Sequence, residues 1–195
     1  MAVSIDDIKK LRDTTGAGMM KAKEALEATN GDMEKAIQYL REKGEATAAK
    51  KADREAREGV IEAYVHSGRI GVLVEVNSET DFVARTDDFK EFVRDIAMHV
   101  AAASPIYLNP EAVPAEVVAR EREIYAREVE GKPADIIEKI IDGKLAKFYE
   151  GACLTKQPFI KDPDVTIEKL TTNLVAKLGE NIVIRHFTRM ELGQL

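Results

Sequence analysis

The sequence predicts an α+β fold, with an N-terminal three-helix module followed by a small antiparallel three-stranded sheet packed on helices, two of which form a helical hairpin. Three patterns predict it. Residues 4–44 carry apolar side chains at helical spacing, broken by Gly-containing turns. Residues 60–77 form two period-two runs around Ser67-Gly68, the pattern of a β-hairpin. A last alternating run, Asn181 to Glu191, arrives more than a hundred residues downstream and supplies the third strand.

In the first segment, Ser4 and Asp7 resemble a capping box, and Ile5, Ile8 and Leu11 recur at helical spacing before Thr14-Thr15-Gly16. A second helix carries Met20, Ala25 and Leu26 and stops at Asn30-Gly31. Asp32 caps a third through Ala36, Ile37 and Leu40, with its end expected at Gly44. About forty residues make only a small core, so this module is expected to lean on a partner. Residues 45–59 are almost wholly Ala, Lys, Arg, Glu and Asp, without an apolar stripe; they read as a solvated helix or a charged linker.

The body, residues 60–195, opens with the hairpin. Phe89, Phe92, Val93, Ile96, Ala97 and Val100 then define an amphipathic helix, with Thr86 or Asp87 as cap and Pro105 beyond its end. Pro114 starts a helix through Val118, Ile124 and Val129 to a Gly131-Lys132-Pro133 break. Another stretch follows with Ile136, Ile137, Ile140 and Ile141, interrupted at Gly143, so residues 114–150 read as a helical hairpin. Thr166 can cap a final helix bearing Leu170, Leu174, Val175 and Leu178, closed by Gly179. A three-stranded sheet leaves two edges and an open face for another molecule.

The composition narrows the function classes. Hydrophobic residues make up 45% of the 195, enough for a real core. With 29 Lys and Arg against 35 Asp and Glu, the net charge of -6 gives no electrostatic footprint for nucleic acid or anionic membrane. No apolar run is long enough to span a bilayer and no leader pattern opens the chain, so a soluble cytoplasmic protein is expected. Cys153 is the single cysteine, and His66, His99 and His186 lie far apart, so neither a disulfide nor a metal site is expected. No cofactor motif is present: Gly16-Ala17-Gly18 lacks the preceding strand and the remaining glycine of a dinucleotide site.

Three segments carry a resemblance. They are Leu11-Arg12 with Thr15-Gly16-Ala17-Gly18-Met19-Met20, Lys23, Ala25-Leu26 and Asn30-Gly31-Asp32; Val74-Glu75-Val76-Asn77 with Thr80-Asp81-Phe82-Val83-Ala84-Arg85; and Gln157-Pro158-Phe159 with Gly179-Glu180-Asn181-Ile182 and Ile184-Arg185. In this order, over nearly the whole chain, they resemble the elongation factor Ts family. The resemblance implies a guanine-nucleotide exchange factor for elongation factor Tu, with no chemistry of its own. It implies that residues 1–44 are a ubiquitin-associated-like module that docks on the nucleotide-binding domain of elongation factor Tu through Met19, Met20 and Lys23. It also implies that Thr80, Asp81, Phe82 and Val83 insert between helices of that domain and disturb its Mg2+ site. Short members pair so that their sheets complete one another, which implies a homodimer. Lys21 and Ala22 stand where many members carry Asp and Cys, Arg85 where many carry Lys, and His186 where many carry Arg.

The residues themselves leave two readings open. Thr80 can cap a helix start and Asp81 suits a first turn, which needs no partner. Phe82 is either an aromatic wedge for a partner's pocket or an ordinary core residue. Met19 and Met20, adjacent on a helix and so about 100° apart, are expected to face one inward and one outward. Lys23 alone reads as a solvated charge, and Cys153 and His99 as packed side chains. Rival readings are an enzyme, for which no catalytic constellation emerges, a ubiquitin-type or nascent-chain adaptor, and a nucleic-acid binder resting on the few basic residues near Lys50-Lys51.

Overall fold

The computed structural model describes residues 3–129 and 133–194. It contains the expected α+β fold, as two compact units: Met1–Val60 with Val76–Phe92 and Lys169–Val183, and Ile61–Glu75 with Val93–Glu168 and Ile184–Leu195.

In the first unit, α1 (Ile5–Thr15), α2 (Met19–Ala28) and α3 (Met33–Lys51) form a three-helix bundle. The Ser4 hydroxyl accepts from the Asp7 amide at 3.1 Å, and Asp32 accepts from the Lys35 amide at 3.1 Å, so both helices start where short polar side chains satisfy free amides. The core is Ile8, Leu11, Ala22, Ala25, Leu26 and Ala36, with Val3, Met33, Ile37, Tyr39 and Leu40 around it. Three of its six buried residues are alanines, so the helices pack closely on little apolar volume.

Gly44 does not end α3, which runs on to Lys51. A Cβ at Gly44 would lie 3.3 Å from the Ala176 Cβ of α8 (Ile167–Leu178). Its missing side chain lets two helices approach instead of turning the chain. Lys169 pairs with Glu45, and the Lys21 ammonium donates to the Ala176 carbonyl at 2.6 Å. Lys21 thus binds the C-terminal turn of α8, where the helix dipole favours a cation.

β1 (Glu58–His66) and β2 (Ile70–Ser78) turn through Ser67 and Gly68, at φ +50° and +67°, the left-handed pair a two-residue hairpin turn requires. The sheet order is β1-β2-β5, with β5 at Val183–Glu191, so the late run does pair with the early hairpin. Val72 and Val74 are buried on one face, whereas Ile61, Val65 and Leu73 are exposed. The amphipathic helix is α5 (Asp87–Ala103), started by Thr86, whose hydroxyl accepts from the Phe89 amide at 3.3 Å. Arg189 of β5 donates to the Ala101 carbonyl of α5 at 3.3 Å.

The helical hairpin is α6 (Ala115–Glu128) and α7 (Ala134–Ala152), laced by Arg122 to Asp142 (3.1 Å) and Glu138 and by Lys144 to Glu128. Gly143 does not interrupt α7; it is a tolerated helix-interior glycine with open space beside it. Gly131 and Lys132 of the expected break lie outside the described residues, and Pro133 directly precedes α7. The structure adds α4 (Asp81–Ala84) and a ribbon of β3 (Pro158–Phe159) and β4 (Asp162–Thr166). No helix among the described residues is long and apolar enough to cross a membrane.

Candidate functional site

The chain leaves β2 through a segment tied down on all sides within the first unit. The buried Asn77 side chain donates to the Glu58 carbonyl at 3.1 Å, and the buried Ser78 hydroxyl to the Thr80 carbonyl at 2.9 Å. Between β1 and β2 the backbones approach so closely that a Cβ at Gly59 would lie 2.1 Å from the Val76 carbonyl oxygen. Gly59 also sits at φ +147°, so only glycine fits there.

Thr80 is the N-cap of α4, its hydroxyl accepting from the Val83 amide at 3.5 Å. The Thr80 amide and hydroxyl both donate to the Glu180 carboxylate, at 3.0 and 2.7 Å. Glu79 accepts from the Asn181 amide at 2.7 Å and pairs with Arg54 at 3.4 Å. The amide bond above all, with Arg54 assisting against some burial, holds the Glu79 carboxyl below its ordinary range.

Within α4 the four side chains separate. Asp81 pairs with Arg85 one turn on, at 2.7 Å. Two positions on a helix differ by about 200°, so Phe82 and Ala84 face opposite ways. Ala84 is buried, Val83 half-buried, and Phe82 is 79% exposed. Phe82 is therefore not part of a core in this chain; burying such a ring makes about 2 to 3 kcal/mol available to whatever covers it.

The α2 candidates lie on the same unit. Met20 is 77% exposed and Met19 39% exposed, with the Met19 sulfur 3.9 Å from an Arg12 nitrogen. The expectation that one methionine turns inward is corrected. Ala22, Ala25 and Leu26 supply the inward face, and Met19 lies one turn before its first member, at the start of the helix. Lys23 is half exposed and reaches Glu27 at 3.7 Å. Thr80–Val83 form one turn and Met19, Met20 and Lys23 the first turns of α2; among the described residues no hydrogen bond or ion pair joins the two patches.

Cys153 and His99 are packed side chains of the second unit. Cys153 is fully buried, and burial raises its thiol above the ordinary range, as befits a small hydrophobe. His99 is fully buried, and no cluster of His, Cys, Asp or Glu among the described residues is placed to hold a metal. In the sequence, Glu180 and Asn181 stand out only as part of a motif. Their bonds to residues 79–80 span about a hundred positions, which local patterning does not reveal.

The elongation factor TS family model matches residues 4–194. The chain is 60% identical over 190 residues to elongation factor Ts of Carboxydothermus hydrogenoformans, covering 96% of this chain and 88% of that relative. It is 56% identical over 197 residues to elongation factor Ts of Syntrophus aciditrophicus, and 55% identical over 195 residues to that of Thermotoga maritima, covering 100% of this chain and 98% of the relative in each case. A match of this length and identity, containing the exposed turn and the helical module alike, means that the chain belongs to the elongation factor Ts family.

Proposed function

We propose that this protein is a guanine-nucleotide exchange factor of translation elongation, acting in the cytoplasm. It binds elongation factor Tu in its GDP form and promotes release of GDP and Mg2+, so that GTP can bind. The observation that carries this reading is Phe82, a bare aromatic ring on a turn anchored from beneath. A nucleotide and its Mg2+ are held by many preorganised contacts, so a wedge that shifts packed elements slightly removes several of them together. Thr80 and Val83 shape the turn. Asp81 adds negative charge near the displaced phosphates and metal without ligating the metal itself.

The protein is not an enzyme in this reading, since no bond is made or broken. Linkage does the work: a factor that weakens nucleotide binding is weakened equally by nucleotide, and incoming GTP expels it. Residues 1–44 are the docking module, through Met19, Met20 and Lys23, residues 45–59 its connection, and residues 60–195 the body. Neither nucleic acid nor membrane is a direct partner. Two copies associate through the open sheet face bearing Ile61, Val65 and Leu73. Sedimentation equilibrium at micromolar concentration is expected to give twice the chain mass, and a monomer throughout contradicts the pairing.

Phe82→Ala tests the wedge. An aromatic anchor is worth about 2 kcal/mol or more, so stimulated GDP release should slow about thirtyfold, with stability changed by no more than about 0.5 kcal/mol. Asp81→Ala should slow it less. Undiminished stimulation by both variants removes the turn from the mechanism.

A further inference from the structure

The loop that leaves α8 bonds in two directions at once. Gly179, at φ +78°, closes the helix with its amide on the Val175 carbonyl at 2.9 Å, and its own carbonyl accepts from the Lys51 ammonium at the end of α3. Glu180 holds the amide and hydroxyl of Thr80 on its two carboxylate oxygens. Asn181 does both: its backbone amide reaches Glu79, while its side-chain amide donates to the carbonyls of Ala52 (3.2 Å) and Arg54 (2.7 Å). The Arg54–Glu79 pair closes the circuit at 3.4 Å. All these residues belong to the first unit.

We propose that Gly179–Asn181 is a coupling loop that holds the Thr80–Val83 turn in fixed disposition to the three-helix module, with Glu180 and Asn181 as positioning residues for nucleotide release. This rests on the exchange reading above. A four-residue helix has no stability of its own. Its direction is set by the bonds at its base, and the doubly used Glu180 carboxylate supplies two charge-assisted ones. In the charged stretch that follows α3, the Asn181 side chain satisfies two backbone carbonyls from a buried position.

The two halves of the loop make separable predictions. Docking by the helical module is binding that persists throughout the encounter, whereas the wedge acts only as the nucleotide site opens. Glu180→Ala should lower the maximal rate of stimulated GDP release about tenfold, with the half-saturating factor concentration nearly unchanged. Glu180→Gln, which can still accept from the Thr80 amide, should restore most of it. Asn181→Ala keeps the backbone bond to Glu79 and loses only the bonds toward α3. It should raise the half-saturating concentration about fivefold at unchanged maximal rate. Lys51→Met, which removes no buried amide, should act in the same direction and serves if Asn181→Ala does not fold.

The experiment is release of fluorescent GDP from elongation factor Tu across a factor titration, paired with amide hydrogen exchange of each free variant. The Thr80 amide should lose protection in Glu180→Ala and keep it in Asn181→Ala and Lys51→Met. If the unmodified chain accelerates release but the variants give its curve, or all lower the maximal rate and raise the half-saturating concentration alike, the coupling loop is overturned and the exchange reading stands. If the unmodified chain does not accelerate release, the exchange reading falls and takes this assignment with it.

Discussion

Asn77, Ser78 and Asn181 in the first unit and His99 and Gln157 in the second are buried polar residues of the same general kind, put to different use. In the second unit, His99 of α5 faces Gln157 at 3.0 Å and accepts from the Ile160 amide on its other ring nitrogen at 3.3 Å. Gln157 donates to the Gly151 carbonyl at 2.8 Å and the Ala103 carbonyl at 3.5 Å. Those bonds join the ends of α5 and α7 to the β3–β4 ribbon. In the first unit the bonds converge on the base of α4, whose next residue but one is the exposed Phe82. One network closes a core; the other aims a side chain. The first should be visible mainly in stability and the second mainly in activity.

His99→Leu gives the largest expected effect. It leaves the buried Gln157 oxygen and the part-buried Ile160 amide without their partner, at about 3 kcal/mol of stability. Stimulated GDP release per folded molecule should not change; a selective loss of stimulation would erase the contrast between the networks. The pH dependence comes next. Because the Ile160 amide occupies one ring nitrogen, the imidazole is neutral with its proton toward Gln157, and burial depresses its pKa, opposed by the Gln157 bond. The unfolded chain then binds more protons than the folded one just below pH 6.5. The stability is fully present above that pH and is lost as pH falls toward the depressed value, by at most about 1.4 kcal/mol per pH unit. Urea melts between pH 7.5 and 5.5 should show the slope, and His99→Leu should abolish it.

Glu79 provides the counterpart in the first unit. Its carboxyl is depressed, so its contribution is present above the ordinary Glu range and lost only as pH falls below about 4.5. Glu79→Gln should therefore be less stable than the unmodified chain by a constant margin between pH 5.5 and 7.5, and acid melts should show that margin closing as the Glu79 carboxylate is protonated. The smallest effect is expected at the helical hairpin. Arg122→Ala removes exposed pairs to Asp142 and Glu138, which solvent and salt screen, so the melting midpoint should hardly move. A loss of several kcal/mol would show that the hairpin is held by its charges and not by Val129, Ile141 and Leu145.

Much of this fold is legible in the chain because its signals are local. Apolar spacing marks α1 to α3 and α5, and Ser67-Gly68 marks the hairpin turn. The misreadings arise where a distant neighbour decides. Gly44 looks like a helix stop until Ala176 is seen against it. The β3–β4 ribbon is hidden because Pro158 and Pro163 argue against strands, and so short a ribbon has no room for alternation. At the candidate site, Thr80 as a cap follows from residue type, whereas the exposure of Phe82 does not, since wedge and core share one local pattern. Glu180 and Asn181 gain their roles only when α8 brings them to the end of β2.

The most direct measurement is the rate at which fluorescent GDP leaves elongation factor Tu with and without saturating amounts of this protein. Release should be accelerated by orders of magnitude, and excess GDP should in turn weaken the factor's hold on elongation factor Tu, as reciprocity demands. An unchanged release rate at saturation would contradict the exchange reading.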